Sequence, residues 1–488
     1  MDFILISDFL DEIGCCRICT LRFLKPNIDD FLDVENSLKS KGIPINQQCK
    51  HETKRPKTNT CVACFNVFNF IDEIIMKVKS SEWLKHYEVK RFVTSYSLPV
   101  SLDLAQLQIW LALIEKFPNM FDSERPPDIS IKDVMKNILN TKLSDDLHKE
   151  FHPDGMMINI FFVIDNEPEM MTKLESVAPE LMVERNKQRK KFRTEIVSRN
   201  YFEKFFIPKN IKLEKFRQEF SVPPQEPSSA LQLEKITFTG PTVFVAGRYN
   251  KFSRALSQSP WILNGKRITE GSVQEVIVDA IASYFKVSES SMTFMSSGRE
   301  DVDVRCLGRG RPFVLEIMNS AKTFLDPSSA VQMEEKVRKS NVVAIRDLQM
   351  IPRDDLRHIK SGEEDKKKIY RALCTVDSDV TVEILERLNI EKEFEIQQWT
   401  PLRVLHRRTL MQRPRMIYGV KAFAVKDKPN LIVLDIVSQA GTYIKELVHG
   451  EFGRTTPSIS SLIDMEIDIV ALDVMDIDLN FPKSLNRT

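Results

Sequence analysis

A chain of 488 residues exceeds what one hydrophobic core usually serves, so two or more domains are expected. Its 70 Lys and Arg against 69 Asp and Glu leave a net charge of +1, with 42% hydrophobic and 28% charged residues, the balance of a multidomain globular protein. No run of eighteen apolar residues occurs, and the N-terminal apolar stretch carries an acid and no basic flank. A membrane span and a cleaved secretory signal are therefore not expected, and the chain reads as soluble and intracellular. The near-zero total says nothing for or against nucleic acid, because only local clustering of charge attracts a polyanion.

Six of the eight cysteines fall in the first sixty-four residues. Cys16-Arg-Ile-Cys19 and Cys61-Val-Ala-Cys64 are two C-x-x-C pairs about forty residues apart, and each can bite one metal ion from a short knuckle. Structural Zn2+ held by Cys16, Cys19, Cys61 and Cys64 is the expectation, with the polar 50–57 stretch looped out. Disulfides are the alternative, disfavoured by an intracellular setting, and a redox module is a weaker one. Cys15 and Cys49 are then ordinary thiols or replacement ligands.

Apolar residues recur at helical spacing at Phe70, Ile74, Ile75 and Val78, and again at Leu104, Leu107, Leu111 and Ile114. Residues 157–165 read as a buried strand. The basic stretch 184–193 is either a solvated helix face, a phosphate-contacting helix or a nuclear-import patch. Three prolines and two serines in 222–229 mark a linker, which places a domain boundary near residue 230. Beyond it, eight strand candidates (242–247, 313–318, 342–346, 371–376, 394–399, 416–425, 431–437 and 466–472) fit one large mixed sheet with interspersed helices, notably 272–285 and 381–388.

Four stretches of this second region carry candidate chemistry. Gly298-Arg-Glu-Asp-Val-Asp-Val-Arg305 gathers three carboxylates and two guanidiniums where a turn meets a strand. A strand starting near Asp301 puts Asp301, Asp303 and Arg305 on one face and Val302 and Val304 on the other; a surface ion pair at a hairpin mouth is the plainer reading. Residues 247–261 interleave Arg248, Lys251 and Arg254 with Tyr249, Phe252 and Trp261, a mixture suited to phosphates and bases, or else to a loop anchored by its Trp. Residues 402–415 hold five arginines and His406 without an acid, which favours an RNA or DNA backbone as partner. In 439–454 a turn at Gly441 leads to a helix capped by Thr442, with Tyr443 and Lys445 in its first turn.

Gly-Arg-Tyr-Asn-Lys, Gly-Arg-Glu-Asp-Val-Asp-Val-Arg, Leu-His-Arg-Arg and Gly-Thr-Tyr-Ile-Lys-Glu-Leu-Val-His-Gly-Glu-Phe-Gly-Arg resemble, over about 236–475, the Pus-ten family of archaeal and eukaryotic tRNA pseudouridine synthases. The N-terminal cysteine pairs resemble that family's zinc-containing, THUMP-related accessory domain. The resemblance implies an α+β protein: an α/β accessory RNA-binding domain over 1–230 and a catalytic domain over 231–488 with a large, mainly antiparallel mixed sheet. It implies Asp301, the acid of Gly-Arg-x-Asp, as nucleophile, which selects it over Asp303. Tyr370 becomes the tyrosine that stacks on the flipped uracil, and Tyr443 a second substrate contact. Lys445 becomes the cation paired with the catalytic carboxylate, where bacterial synthases carry an arginine. Arg299, Arg248, Lys251, Arg254, Arg407 and Arg408 are then candidates to hold RNA. The implied activity is uridine isomerisation in the T arm of tRNA, at positions 54 and/or 55, without an organic cofactor. Other structured RNAs are further candidate partners, and the protein is expected to act as a monomer in nucleus and/or cytoplasm. An RNA-binding adaptor in small-RNA processing is the alternative function.

Overall fold

The computed structural model describes residues 2–44, 60–125, 128–179, 212–361 and 366–485. The basic stretch 184–193 and Cys49 lie outside them. The chain divides into two compact units, Met1–Thr239 and Gly240–Thr488.

The first unit has a four-stranded sheet of β1 (Arg91–Ser97), β2 (Glu150–Phe151), β3 (Met156–Val163) and β4 (Gln232–Thr239), in the order β2-β1-β3-β4. β1 runs parallel to β2 and β3, and β4 is antiparallel to β3. Pairing of β4 with β3 carries the first unit past the proline-rich linker, so the boundary falls near residue 240 instead of 230. Helix Val100–Lys116 buries Leu104, Leu107 and Leu111 against Leu174, Phe216 and Phe220, while helix Ile71–Ser80 buries Ile71, Ile74 and Val78.

In the second unit the strands are β5 (Val243–Lys251), β6 (Ile262–Leu263), β7 (Lys266–Arg267), β8 (Met292–Ser296), β9 (Arg305–Ile317), β10 (Val343–Ile351), β11 (Lys367–Val376), β12 (Phe394–Trp399), β13 (Gln412–Val425), β14 (Lys428–Gln439), β15 (Thr455–Thr456) and β16 (Ile467–Ile477). Apart from the β6-β7 hairpin they form one ten-stranded sheet, ordered β10-β5-β9-β16-β11-β14-β13-β12-β15 with β8 beside β9. All pairings in it are antiparallel except β9 with β16. All eight strands expected from β-branched and aromatic runs lie in this sheet. Helix Val273–Phe285, capped by the Ser272 hydroxyl, lays Ile277, Ile281 and Phe285 into its core, and helix Val382–Leu388 is capped likewise by Thr381. Among the described residues, no helix is long and apolar enough to cross a membrane.

Two sheet features position the site. The parallel register sets Arg305 beside Asp473, where they join in a two-point ion pair at 2.9 and 2.6 Å. Tyr370 lies within β11, opposite Ile436 and Val474, so it is part of the ladder and does not precede it.

Candidate active site

The Gly298–Arg305 stretch is a turn for most of its length; the strand begins only at Arg305, and Val304 N–H closes back on the Asp301 carbonyl at 3.1 Å. Alternation of Val302 and Val304 therefore does not define a strand face. The reason is the Lys251 ammonium, which is fully buried and takes the carbonyls of Asp301 (3.0 Å), Val302 (2.9 Å) and Leu256 (2.8 Å), removing the first two from any ladder. Arg254 adds a bond to the Asp303 carbonyl at 2.8 Å while it pairs with Asp473 at 2.6 Å. Gly298, at φ +83°, opens the turn in a conformation that disfavours a side chain, and a Cβ there would meet the Lys368 ammonium at 2.8 Å.

Below the turn, Glu300 and Arg311 form an ion pair at 2.8 Å with side chains 0% and 1% exposed. Tyr249 donates its hydroxyl to Glu300 at 2.9 Å, and Arg311 also holds the Ser297 carbonyl at 2.7 Å. Every one of these groups is satisfied, the condition on which a buried polar cluster stabilises. Arg311→Met is expected to leave Glu300 buried without its cation and to cost about 3–5 kcal/mol of stability, seen as a lower urea midpoint.

The turn thus presents two carboxylates differently. Asp301 Oδ2 accepts a hydrogen bond from Arg403 Nη1 at 2.8 Å and lies 3.9 Å from Lys445 Nζ; Asp303 Oδ2 takes Lys445 Nζ at 2.7 Å. Asp301 is 34% exposed and Asp303 61%. The expected meeting of Asp301 with Lys445 occurs, but the direct partner of Asp301 is Arg403. That guanidinium spans two acids, turning Nε and Nη2 to the buried Glu446 at 2.7 and 3.4 Å. Burial alone would lower its pKa; Glu446 and then Asp301 outweigh it and raise the value. Nothing within the arginine-rich stretch itself distinguishes Arg403 from Arg407 and Arg408. The signal for it is Glu446, an acid beside Ile444, Leu447 and Val448 on a buried helical face, which requires a cation.

For Asp303, partial burial pushes the pKa up, but the Lys445 hydrogen bond and charge and the Arg403 charge outweigh it and hold the carboxyl below its usual range. At Asp473 burial acts in the same way and is outweighed by the Arg305 bond and the Arg254 charge. Both folded pKa values are depressed. Their stabilisation is therefore present above about pH 4, the unfolded value, and is lost as pH falls through the folded values. Thermal midpoints measured from pH 7 down to pH 2 are expected to show this part of the loss only below about pH 4, and Asp473→Asn to diminish it.

Tyr370 is half-buried, and burial pushes its hydroxyl up to about 12, so it stays a neutral phenol at pH 7. Tyr443 is the N-cap of helix Ile444–His449, a place expected for Thr442, whose hydroxyl instead bonds the Gln439 carbonyl at 2.8 Å. The Tyr443 backbone is clamped on both sides by the buried Gln398 side chain, at 2.8 and 3.0 Å. Arg299, Arg407 and Arg408 are exposed.

Three expected RNA contacts point elsewhere. Arg248 is buried and gives its donors to the carbonyls of Arg309, Gly310, Leu479 and Phe481 at 2.8–3.0 Å; burial lowers its pKa to about 10. Lys251 and Arg254 hold the Asp301–Asp303 turn. β5 is buried along its whole length, so Arg248 and Lys251 are turned to backbone carbonyls and away from solvent.

In the first unit the Sγ atoms of Cys16, Cys19, Cys61 and Cys64 all lie within 4.8 Å of one another, and the four could hold a metal ion. Buried Arg22 donates to Cys19 Sγ at 3.5 Å and to Gln106 and the Ile129 carbonyl at 2.7 Å each, and pairs with Asp128. Its hydrogen bond to Cys19 Sγ would help hold that sulfur as a thiolate ligand.

The turn thus sets the Asp301 carboxylate against Arg403 at 2.8 Å, with Lys445 3.9 Å away, and comparison with known proteins gives the chain its family. Residues 244–478 match the family described as Pus10, C-terminal, and residues 61–238 match Eukaryotic Pus10, N-terminal. A Drosophila melanogaster Pus10 protein is 42% identical over 99% of this chain and 98% of its own length. The Homo sapiens tRNA pseudouridine synthase Pus10 is 35% identical over 89% of this chain and 81% of its own, and the Pyrococcus furiosus enzyme of that name 34% over 50% and 59%. The chain belongs to the Pus10 family and is an isomerase of the pseudouridine synthase class.

Proposed function

We propose that this protein converts uridine to pseudouridine in the T arm of tRNA, at positions 54 and/or 55, with Asp301 as nucleophile and no organic cofactor. The observation that carries this reading is Asp301 itself, half-exposed on a braced turn, with Arg403 bonded to its Oδ2 and Lys445 3.9 Å from the same oxygen. Arg403 and Lys445 address Oδ2, so Oδ1 is the oxygen that attacks ribose or base. The uridine leaves its stack to reach this turn, and Tyr370 offers an aromatic plane to the displaced base. Cleavage of the N-glycosidic bond, rotation of the uracil and rejoining through carbon 5 are redox-neutral. Exposed Arg299, Arg407 and Arg408 are the candidates to hold the RNA backbone.

Zinc is the proposed occupant of the cysteine site. With Zn–S bonds of about 2.3 Å, a tetrahedron has S–S edges of about 3.8 Å, and Cys16 Sγ lies 3.7 Å from Cys64 Sγ. Bound there, the ion would supply a crosslink between two segments distant in sequence and no step of the reaction.

The test is incubation of the purified protein with an unmodified tRNA transcript, followed by pseudouridine mapping. Pseudouridine at 54 or 55 is expected. Tight binding of the transcript without any pseudouridine would instead favour an RNA-binding adaptor.

A further inference from the structure

The turn after helix Ile444–His449 holds four consecutive residues in the left-handed region: Gly450 (φ 77°), Glu451 (φ 44°), Phe452 (φ 57°) and Gly453 (φ 81°). Two of the four carry side chains, in a conformation that costs such residues energy. The result is Phe452 at 97% exposure, the most exposed large hydrophobic side chain among the described residues. Burial elsewhere in the fold returns nothing for it.

Its neighbours tie this turn to the reaction centre. Glu451 accepts the Leu402 N–H at 2.9 Å, next to Arg403, which grips Asp301. Arg454 donates to the Thr400 carbonyl at 2.6 Å, and its own carbonyl accepts the Trp399 N–H at 3.0 Å. The backbone that carries Phe452 is thereby tied to the start of the 402–415 stretch, where Arg407, Arg408 and Arg413 are exposed and, among the described residues, in no salt bridge. An exposed aromatic face held by a strained backbone beside uncompensated guanidiniums suits a stacked base with phosphates on either side; an apolar protein surface would leave those charges unanswered.

From this we infer that Phe452 is a positioning residue that stacks on an unpaired base of the RNA outside the reaction pocket, fixing the strand while the neighbouring arginines hold its phosphates. The inference rests on the reading of the site as one that acts on RNA. Stacking on one base corresponds to roughly a 10-fold change in affinity.

Two RNAs separate the possibilities: a T-arm hairpin with 2-aminopurine at successive loop positions, and a fully paired duplex of equal length. Wild-type protein is expected to quench 2-aminopurine at one loop position. Phe452→Ala and Phe452→Leu are expected to lose that quench and to bind the hairpin about 10-fold more weakly, with duplex affinity and thermal midpoint unchanged. Phe452→Tyr is expected to restore quench and affinity. Equal hairpin binding by wild type and Phe452→Ala would overturn the inference, as would equal weakening on both RNAs or full function in Phe452→Leu. The quench is read without catalysis. A wild type that stacks but forms no pseudouridine therefore contradicts the proposed reaction alone, and one that forms pseudouridine equally with and without Phe452 contradicts the stacking alone.

Discussion

Asp301→Asn is expected to abolish pseudouridine formation, with a rate at least roughly 10,000-fold below wild type, equivalent to about 5.4 kcal/mol of barrier. An amide keeps the shape of the carboxylate but supplies no nucleophilic oxygen anion. The fold should tolerate it. Arg403 keeps its stronger anchor in Glu446, and the turn keeps the bonds of Lys251 and Arg254 to its backbone, which do not involve the side chain lost. The pair that disappears is partly exposed, so about 1 kcal/mol or less of stability goes with it. RNA affinity, dominated by phosphate contacts, should stay within a few-fold of wild type. Single-turnover assays with saturating enzyme separate these quantities, because the rate of the bound complex is then read independently of binding.

Removal of the proposed zinc is expected to have the second large effect. Cys19, Cys61 and Cys64 are buried, and the four sulfurs converge from segments 45 residues apart in sequence, as the 3.2 Å approach of the Cys16 N–H to Cys61 Sγ illustrates. The ion would supply a crosslink between them, and sites of this kind contribute on the order of 10 kcal/mol to the folding of small metal domains. Purified protein should contain about one zinc per chain. Cys61→Ser, or a strong chelator on the wild type, should release it, lower the thermal midpoint and open residues 1–239 to proteolysis. Zinc retained in full by Cys61→Ser would remove Cys61 from the ligand set.

The sheet of the second unit was legible in the sequence because its strands are bounded runs of β-branched and aromatic residues, the local property that decides strand formation. β8 and β15 escaped: Met-Thr-Phe-Met-Ser is a weak run, and Thr455–Thr456 is a two-residue strand set by its partner β12. The site was legible as a set of motifs but not as a set of contacts. Arg248 and Lys251 look like ligands for phosphate in one dimension. Only the pairing of β5 between β9 and β10 shows that both face buried carbonyls. Arg403, conversely, is indistinguishable by composition from Arg407 and Arg408, and becomes the partner of Asp301 because Glu446 draws it inward across 43 residues of sequence. Division of labour between Asp301 and Asp303 could not follow from an alternating pattern either, since the turn that separates them is made by a buried lysine some fifty residues earlier.

That division is the central claim, and comparison of Asp301→Asn with Asp303→Asn on one tRNA transcript tests it most directly. Single-turnover pseudouridine formation is predicted to vanish in Asp301→Asn. In Asp303→Asn, where Lys445 loses its 2.7 Å partner but Arg403 still grips Asp301, it is predicted to persist at a rate reduced by about 10-fold. Pseudouridine formed at a substantial rate by Asp301→Asn, or lost only in Asp303→Asn, would contradict the account.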